Sequence, residues 1–158
     1  MTTPDPIILS ASMFSNFGGW VLDTQFVTNM GMPYLLAHGL GRSVEDAVTE
    51  FTVTSEGEYS LFVYTYNWVS PWHKEEAPGI FEVSVDGRQT GPVFGRTADK
   101  WGWESGGKVT LSQGKHRLTL HDLTGFEGRV GMIVLSAEDN PILPETAADV
   151  RAFLFDHI

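Results

Sequence analysis

Three short polar turns, Ser55-Glu56-Gly57, Asp86-Gly87-Arg88 and Ser112-Gln113-Gly114, punctuate this chain between runs of alternating apolar residues. A side-chain period of two belongs to strands, and turns rich in Gly, Asp and Ser join strands as tight hairpins. Strands are predicted at 34–38, 45–54, 58–66, 80–85, 90–94, 108–111, 115–121 and 131–136. Within 58–66, Leu61, Val63 and Thr65 alternate with Phe62, Tyr64 and Tyr66. Both faces are apolar or aromatic, which places this strand at the centre of a sheet. Leu118 and Leu120 alternate instead with Arg117, Thr119 and His121, as in a half-exposed strand. Seventeen Gly and eight Pro in 158 residues supply the breaks that an all-β chain of short elements needs. The end of the chain differs. Pro144 and Glu145 precede a segment in which Val150, Phe153 and Leu154 share one helical face. The expected architecture is an antiparallel β-sandwich over residues 1–143, followed by a C-terminal helical tail or linker over 144–158.

In such a sandwich each strand reverses the last, so connections alternate between the two ends. The three tight turns fall together at one end. Segments 39–44, 67–79, 95–107 and 122–130 fall at the other, and they hold Trp68, Trp72, Trp101 and Trp103. Arg42, Lys74, Arg96, Lys100 and Arg129, half of the ten Lys and Arg residues, lie there too. One end is expected to be structural and the other functional.

Composition removes several classes of function. A net charge of -10 and a pI near 4.7 repel phosphate backbones, so no nucleic-acid partner is expected. The absence of cysteine excludes disulfides, thiolate catalysis and Cys-based zinc sites. The opening MTTPDPIILSASMF has neither a basic n-region nor a long apolar stretch, so no signal peptide and no membrane span are predicted. A native full-length chain of this kind is expected in the cytoplasm; for a domain excised from a longer protein the missing signal is uninformative.

The tryptophans in irregular segments suggest stacking. A sugar ring offers a face of polarised C–H groups that packs on an indole, and its hydroxyls need acceptors and forked donors nearby. His38, Glu104, Asp122 and Arg129 could supply these. The competing reading has the indoles plugging the open end of the sandwich and burying against one another. His121, Asp122 and His38 are the candidates for a general base or a metal ligand. No His-x-His, His-x3-His or D-x-D-x-D spacing accompanies them, and no metal site is expected. No G-x-S-x-G elbow supports serine catalysis. Gly39, Gly41, Gly106 and Gly107 read as permitting loop turns, since no strand–glycine loop–helix unit is present to cradle phosphate.

Five segments resemble a known family: SNFGGWVLDTQF at 15–26, MPYLLAHGLG at 32–41, NWVSPW at 67–72, WGWESGG at 101–107 and LHDLTGFEGR at 120–129. They resemble a β-sandwich domain that lies N-terminal to the flavin domain of bacterial FAD-dependent oxidoreductases. That domain is similar to carbohydrate-binding modules and galactose-binding-like jelly rolls. The resemblance implies a sugar-related setting and a possible flavin-dependent oxidoreductase partner or domain. It does not imply a flavin cofactor here, because no G-x-G-x-x-G follows a strand. Related sandwiches often hold a structural calcium on Glu-x-Glu and a late Asp, where this chain aligns Ser10, Ser12 and Gly131. Two hydroxyls are poor substitutes for carboxylates, so neither calcium nor any other cofactor is expected.

The function read from the sequence is a non-catalytic carbohydrate-binding domain or sugar-recognising accessory subunit. Its ligand-binding residues are drawn from His38, Trp68, Trp72, Trp101, Trp103, Glu104, Asp122 and Arg129. Two alternatives stand beside it. One is a small enzyme acting on a sugar derivative, with His121 and Asp122, or His38, as its acid–base groups. The other is a structural domain docked on a flavin-dependent partner.

Overall fold

A computed structural model describes residues 4–23, 32–39, 42–66, 80–90, 93–95, 102–123, 126–144 and 147–157. These residues form β1 (Ile7–Ser10), β2 (Val21–Asp23), β3 (Tyr34–His38), β4 (Ala47–Val53), β5 (Gly57–Thr65) and β6 (Phe81–Val85). β7 (Arg88–Gln89), β8 (Gly102–Leu111), β9 (Gly114–Asp122), β10 (Phe126–Ser136) and the helix α1 (Ala147–His157) follow. A single 3-10 turn spans Ala11–Met13. The larger sheet runs β2-β3-β10-β5-β8, with β1 added beside β10, and the smaller runs β4-β9-β6-β7. All pairings are antiparallel. The fold is an all-β jelly-roll sandwich with a short C-terminal helix, as the sequence predicts.

The core lies where the two inner faces meet. Leu35, Leu61, Val63 and Leu135 of the larger sheet and Val83, Leu118 and Leu120 of the smaller are fully buried there. Each such side chain contributes about 1.5–3 kcal/mol of burial. The larger sheet also buries its outer face, through Ile8, Tyr34, Tyr64, Met132 and Val134, against Val150 of α1. Phe153 and Leu154 pack on the same cluster, so the helical face read from the sequence is the one that docks. β5 and β10 therefore have apolar residues on both faces. The smaller sheet is amphipathic: Ala47, Thr49, Phe51 and Val53 of β4 point inward, while Glu50 and Thr52 are exposed.

Several expectations are corrected. Of the three predicted turns, only Asp86-Gly87 closes a hairpin, between β6 and β7. The connections at Ser55 and Ser112 join strands of different sheets, so their short length crosses the sandwich and does not reverse a ribbon. Of the strand expected at 90–94, residues 91–92 lie outside the described residues, and Phe94 forms an isolated bridge with Phe81, while β7 precedes it at Arg88–Gln89. WGWESGG, taken as loop, is strand from Gly102 onward. There Gly106 admits neighbouring side chains: a Cβ would lie 2.5 Å from the Phe94 ring and 2.7 Å from Leu61. Gly107, at φ +80, sits where the β5–β8 register shifts, a position that favours glycine. The short edge strands β1 and β2 carry too little alternation to be read from sequence.

Candidate functional site at the loop end

Register decides which strand ends meet. Phe81 lies opposite Asp122, Ala47 opposite Leu120, Gly102 opposite Thr65 and His38 opposite Phe126. At the other extreme Val53 faces Gly114 and Gly57 faces Leu111, joined by the short crossings. The connections 39–46, 66–80 and 90–101 thus all depart from the end marked by Phe81 and Asp122. Of the four segments expected as loops here, 102–107 belongs to β8 and 126–130 to β10, so the connections at this end are shorter than the sequence suggests.

An aromatic floor closes the sandwich at this end. Phe81 is fully buried between Trp20, edge-on with ring centroids 5.8 Å apart, and Phe94, stacked at 5.9 Å. Trp20 is not among the tryptophans expected at the loop end. The signal for it was the SNFGGW motif, because the two glycines admit neighbouring backbone. A Cβ on Gly18 (φ +57) would sit 2.0 Å from the Asp46 carbonyl oxygen, and Gly19 N–H donates to the Glu45 carbonyl at 3.0 Å. The Trp20 indole N–H is buried with no hydrogen-bond partner among the described residues.

Two carboxylates fasten the chain above this floor. Asp122 is fully buried and accepts a hydrogen bond from Val44 N–H at 2.9 Å, pinning the segment that enters β4. Glu104 accepts one from Gly95 N–H at 3.1 Å, pinning the chain beside Phe94. A charged acceptor makes the stronger kind of hydrogen bond, and both carboxylates spend it on backbone. His121 projects from the other side of β9 and pairs through Nδ1 with Asp46 Oδ1 at 2.7 Å, half-exposed.

The anticipated site residues therefore divide. Glu104 and Asp122 hold loop backbone at the loop end. His121 and Asp122 do not form the pair that the enzyme alternative requires: adjacent strand residues point to opposite faces, one exposed and one buried. Trp103 lies on the outer face of the larger sheet, 4.9 Å from the Tyr64 ring, with its indole N–H donating to the Pro144 carbonyl at 2.7 Å. It seats the approach to α1. Arg129 is buried on that same face, beside Tyr34. The Tyr34 hydroxyl donates to Asp23 at 3.0 Å. Burial, then the Asp23 hydrogen bond and charge, push the Tyr34 pKa up to about 12, against the opposing influence of Arg129. His38 pairs its backbone with Phe126 in the register of β3 and β10. Trp68, Trp72 and Trp101 lie outside the described residues.

Among the described residues no three His, Asp or Glu side chains converge as metal ligands. Ser10 and Ser12, the pair aligned with calcium-binding carboxylates in related sandwiches, place their hydroxyls 3.5 Å from one another.

No family model and no curated protein matches this chain in sequence. Solved structures do match in fold. A Podospora anserina GH26-CBM35 β-(1,4)-mannanase superposes with a TM-score of 0.65 at 17% identity, over 89% of this chain and 30% of the mannanase. A family 35 carbohydrate-binding module from Clostridium thermocellum gives 0.64 at 18% identity, over 84% of this chain and 98% of the module. A family 35 module from Paenibacillus barcinonensis gives 0.60 at 13%, over 84% and 99%. The chain thus spans less than a third of the mannanase and nearly all of each isolated module.

Proposed function

We propose that this chain is a non-catalytic carbohydrate-binding domain whose site is formed at the loop end by one or more of Trp68, Trp72 and Trp101. Three facts about the rest of the surface support this placement. The outer face of the larger sheet is occupied by α1. The outer face of the smaller sheet presents Glu50, Thr52, Glu82, Ser84, Lys115, Arg117, Thr119 and His121. That set offers no aromatic platform for a sugar ring. Among the described residues the turn end carries two short crossings, one tight hairpin and the segment that leaves β10 at Ser136, none of which bears a tryptophan. The single observation that carries the proposal is the register: β5 ends, and β6 and β8 begin, at the same end, and the three tryptophans lie in the sequence segments that precede or follow those strand ends. The fold shared with family 35 modules agrees with it.

A site that replaces hydrated hydroxyls one for one gains little net energy, so affinity of about 1 mM to 1 μM, or roughly 4–8 kcal/mol, is expected. Trp68→Ala, Trp72→Ala and Trp101→Ala should be compared for binding to a glycan panel and for melting temperature. At least one should cost about 2 kcal/mol or more of binding, the scale of an interfacial hot spot, while leaving stability nearly unchanged. If each unfolds the protein, or none alters binding to any sugar the parent retains, the loop end is a structural cap.

A second reading has one observation in its favour. Ile142 and Phe155 are 96% and 79% exposed on the C-terminal segment. Together with the resemblance to domains preceding a flavin domain, this supports docking of the C-terminal segment on a flavin-dependent oxidoreductase. Co-purification with a flavoprotein, lost in an Ile142→Ser/Phe155→Ser variant, would establish that reading.

A further inference from the structure

His116 sits at the turn end, away from the proposed sugar site, on the core-facing side of β9. Its side chain is only 8% exposed. Nδ1 lies 2.6 Å from Asp86 Oδ2 and Nε2 lies 2.7 Å from the Ser112 carbonyl oxygen. A carbonyl oxygen cannot donate, and neither can an ionised carboxylate. A neutral imidazole has one N–H, so it satisfies one of these acceptors and turns a lone pair toward the other. The imidazolium satisfies both. The Asp86 carboxylate is committed as an acceptor by a second bond, from Arg117 N–H to Oδ1 at 2.9 Å. The Phe51 ring stacks on the imidazole with centroids 5.7 Å apart, within the range at which an aromatic face attracts a cation.

We propose that His116 is a doubly protonated latch that closes the turn end of the sandwich at acidic to neutral pH and loosens it when the ring loses a proton. The elements it joins give the latch its reach. Asp86 belongs to the β6–β7 hairpin, Ser112 to the crossing from the larger sheet to the smaller, and Phe51 to β4. One side chain therefore ties three strands of the smaller sheet to the chain arriving from the larger. The other charged groups in register beside it are Lys115, Arg117 and Glu50. They alternate to the solvent face, where Arg117 and Glu50 approach within 3.8 Å of one another, so Asp86 is the charged partner the ring faces among the described residues.

The hydrogen bond to Asp86 raises the His116 pKa above its ordinary 6.5; burial opposes this, and the Ser112 carbonyl and the Asp86 charge add to the rise. For Asp86, burial acts upward but is outweighed by the His116 hydrogen bond, the Arg117 N–H and the His116 charge, leaving its pKa below 3.8. A raised histidine pKa contributes stability that is complete below 6.5 and is lost as pH climbs through the folded-state value. A depressed aspartate pKa contributes stability that is complete above 3.8 and is lost as pH falls through its folded-state value. The latch is thus strongest between those two limits.

Long-range proton–nitrogen NMR of the imidazole side chains in the intact chain tests this directly, with His116→Gln identifying the signals. At about pH 6 both His116 nitrogens should carry protons, and the ring should titrate above 6.5. In Asp86→Asn the titration should fall back toward the ordinary value. The melting temperature of His116→Gln should lie below that of the parent at about pH 6, and the gap should narrow at about pH 9. A single-proton tautomer at about pH 6, or a gap equal at both pH values, overturns the proposal. Should His116→Gln fail to fold, the titration of the parent chain decides it alone.

Discussion

The two ends of this sandwich each carry a histidine–aspartate pair, and the pairs do different things. At the turn end His116 and Asp86 meet at 2.6 Å with the imidazole 8% and the carboxylate 49% exposed, and both ring nitrogens are engaged. At the loop end His121 and Asp46 meet at 2.7 Å with side chains 46% and 45% exposed. Distance alone does not separate them; solvent does. A buried imidazole keeps water from replacing the partners of its two nitrogens, whereas an exposed ring exchanges one partner for another at little gain. The turn end is fastened by side chain to side chain. The loop end is fastened by carboxylates to backbone, through the buried Asp122 and the half-buried Glu104.

If the loop end rests on a packed aromatic floor, the largest effect in the molecule should come from removing its centre. Phe81→Ala leaves a cavity between Trp20 and Phe94 and should cost about 3–5 kcal/mol of stability, measured by denaturant unfolding. A loss under about 1 kcal/mol would mean that the floor collapses freely and that the comparison with the rest of the core fails. Trp103→Ala comes next. The half-buried indole loses its packing on Tyr64 and its bond to Pro144, for about 2–3 kcal/mol. That loss should register in stability without changing binding to any glycan, which would separate Trp103 from Trp68, Trp72 and Trp101.

Asp122→Ala should cost about 1–3 kcal/mol, because the Val44 N–H loses its acceptor while the cavity left is small. Asp122→Asn keeps an acceptor oxygen and should recover part of the loss. Equal losses in the two variants would point to the charge, and not the acceptor, as what holds the segment entering β4.

Much of this architecture is legible in the sequence. The strict alternation in β4 and β9 fixes their inward residues, and the doubly apolar β5 announces a strand with neighbours on both sides. Parity alone separates the two ends. Partner choice was not legible. A three-residue connection of Ser, Glu and Gly serves equally for a hairpin and for a crossing between sheets, and only the pairing of β5 with β8 and β10 distinguishes them. WGWESGG was misread because its glycines look like loop, when Gly106 is dictated by the Phe94 ring from a distant part of the chain. The placement of His121 and Asp122 on opposite faces, by contrast, was available from strand period. Adjacency in sequence is the worst spacing for a catalytic pair on a strand. The partners each residue does find, Asp46 and Val44, come from the segment entering β4, which only the register of β4 on β9 brings near.

The smallest effect expected is also the sharpest test of the contrast between the two pairs. His121→Ala removes an exposed ring whose Nδ1 meets Asp46 at 2.7 Å. Exposed ion pairs contribute about 0–1 kcal/mol, and Asp46 has open water to replace its partner. Stability should therefore change by no more than about 0.5 kcal/mol, and the change should shrink further in high salt. His116→Gln, which removes a histidine paired at nearly the same distance, should produce a much larger and pH-dependent loss. Measured side by side, the two substitutions separate geometry from burial as the source of stability. If His121→Ala destabilises as much as His116→Gln, then the loop end is fastened through its exposed rim. The division of labour between the ends would then have to be abandoned. If stability holds and binding to a glycan weakens, His121 borders the sugar site, and its imidazole belongs with the tryptophans as a group that meets the ligand.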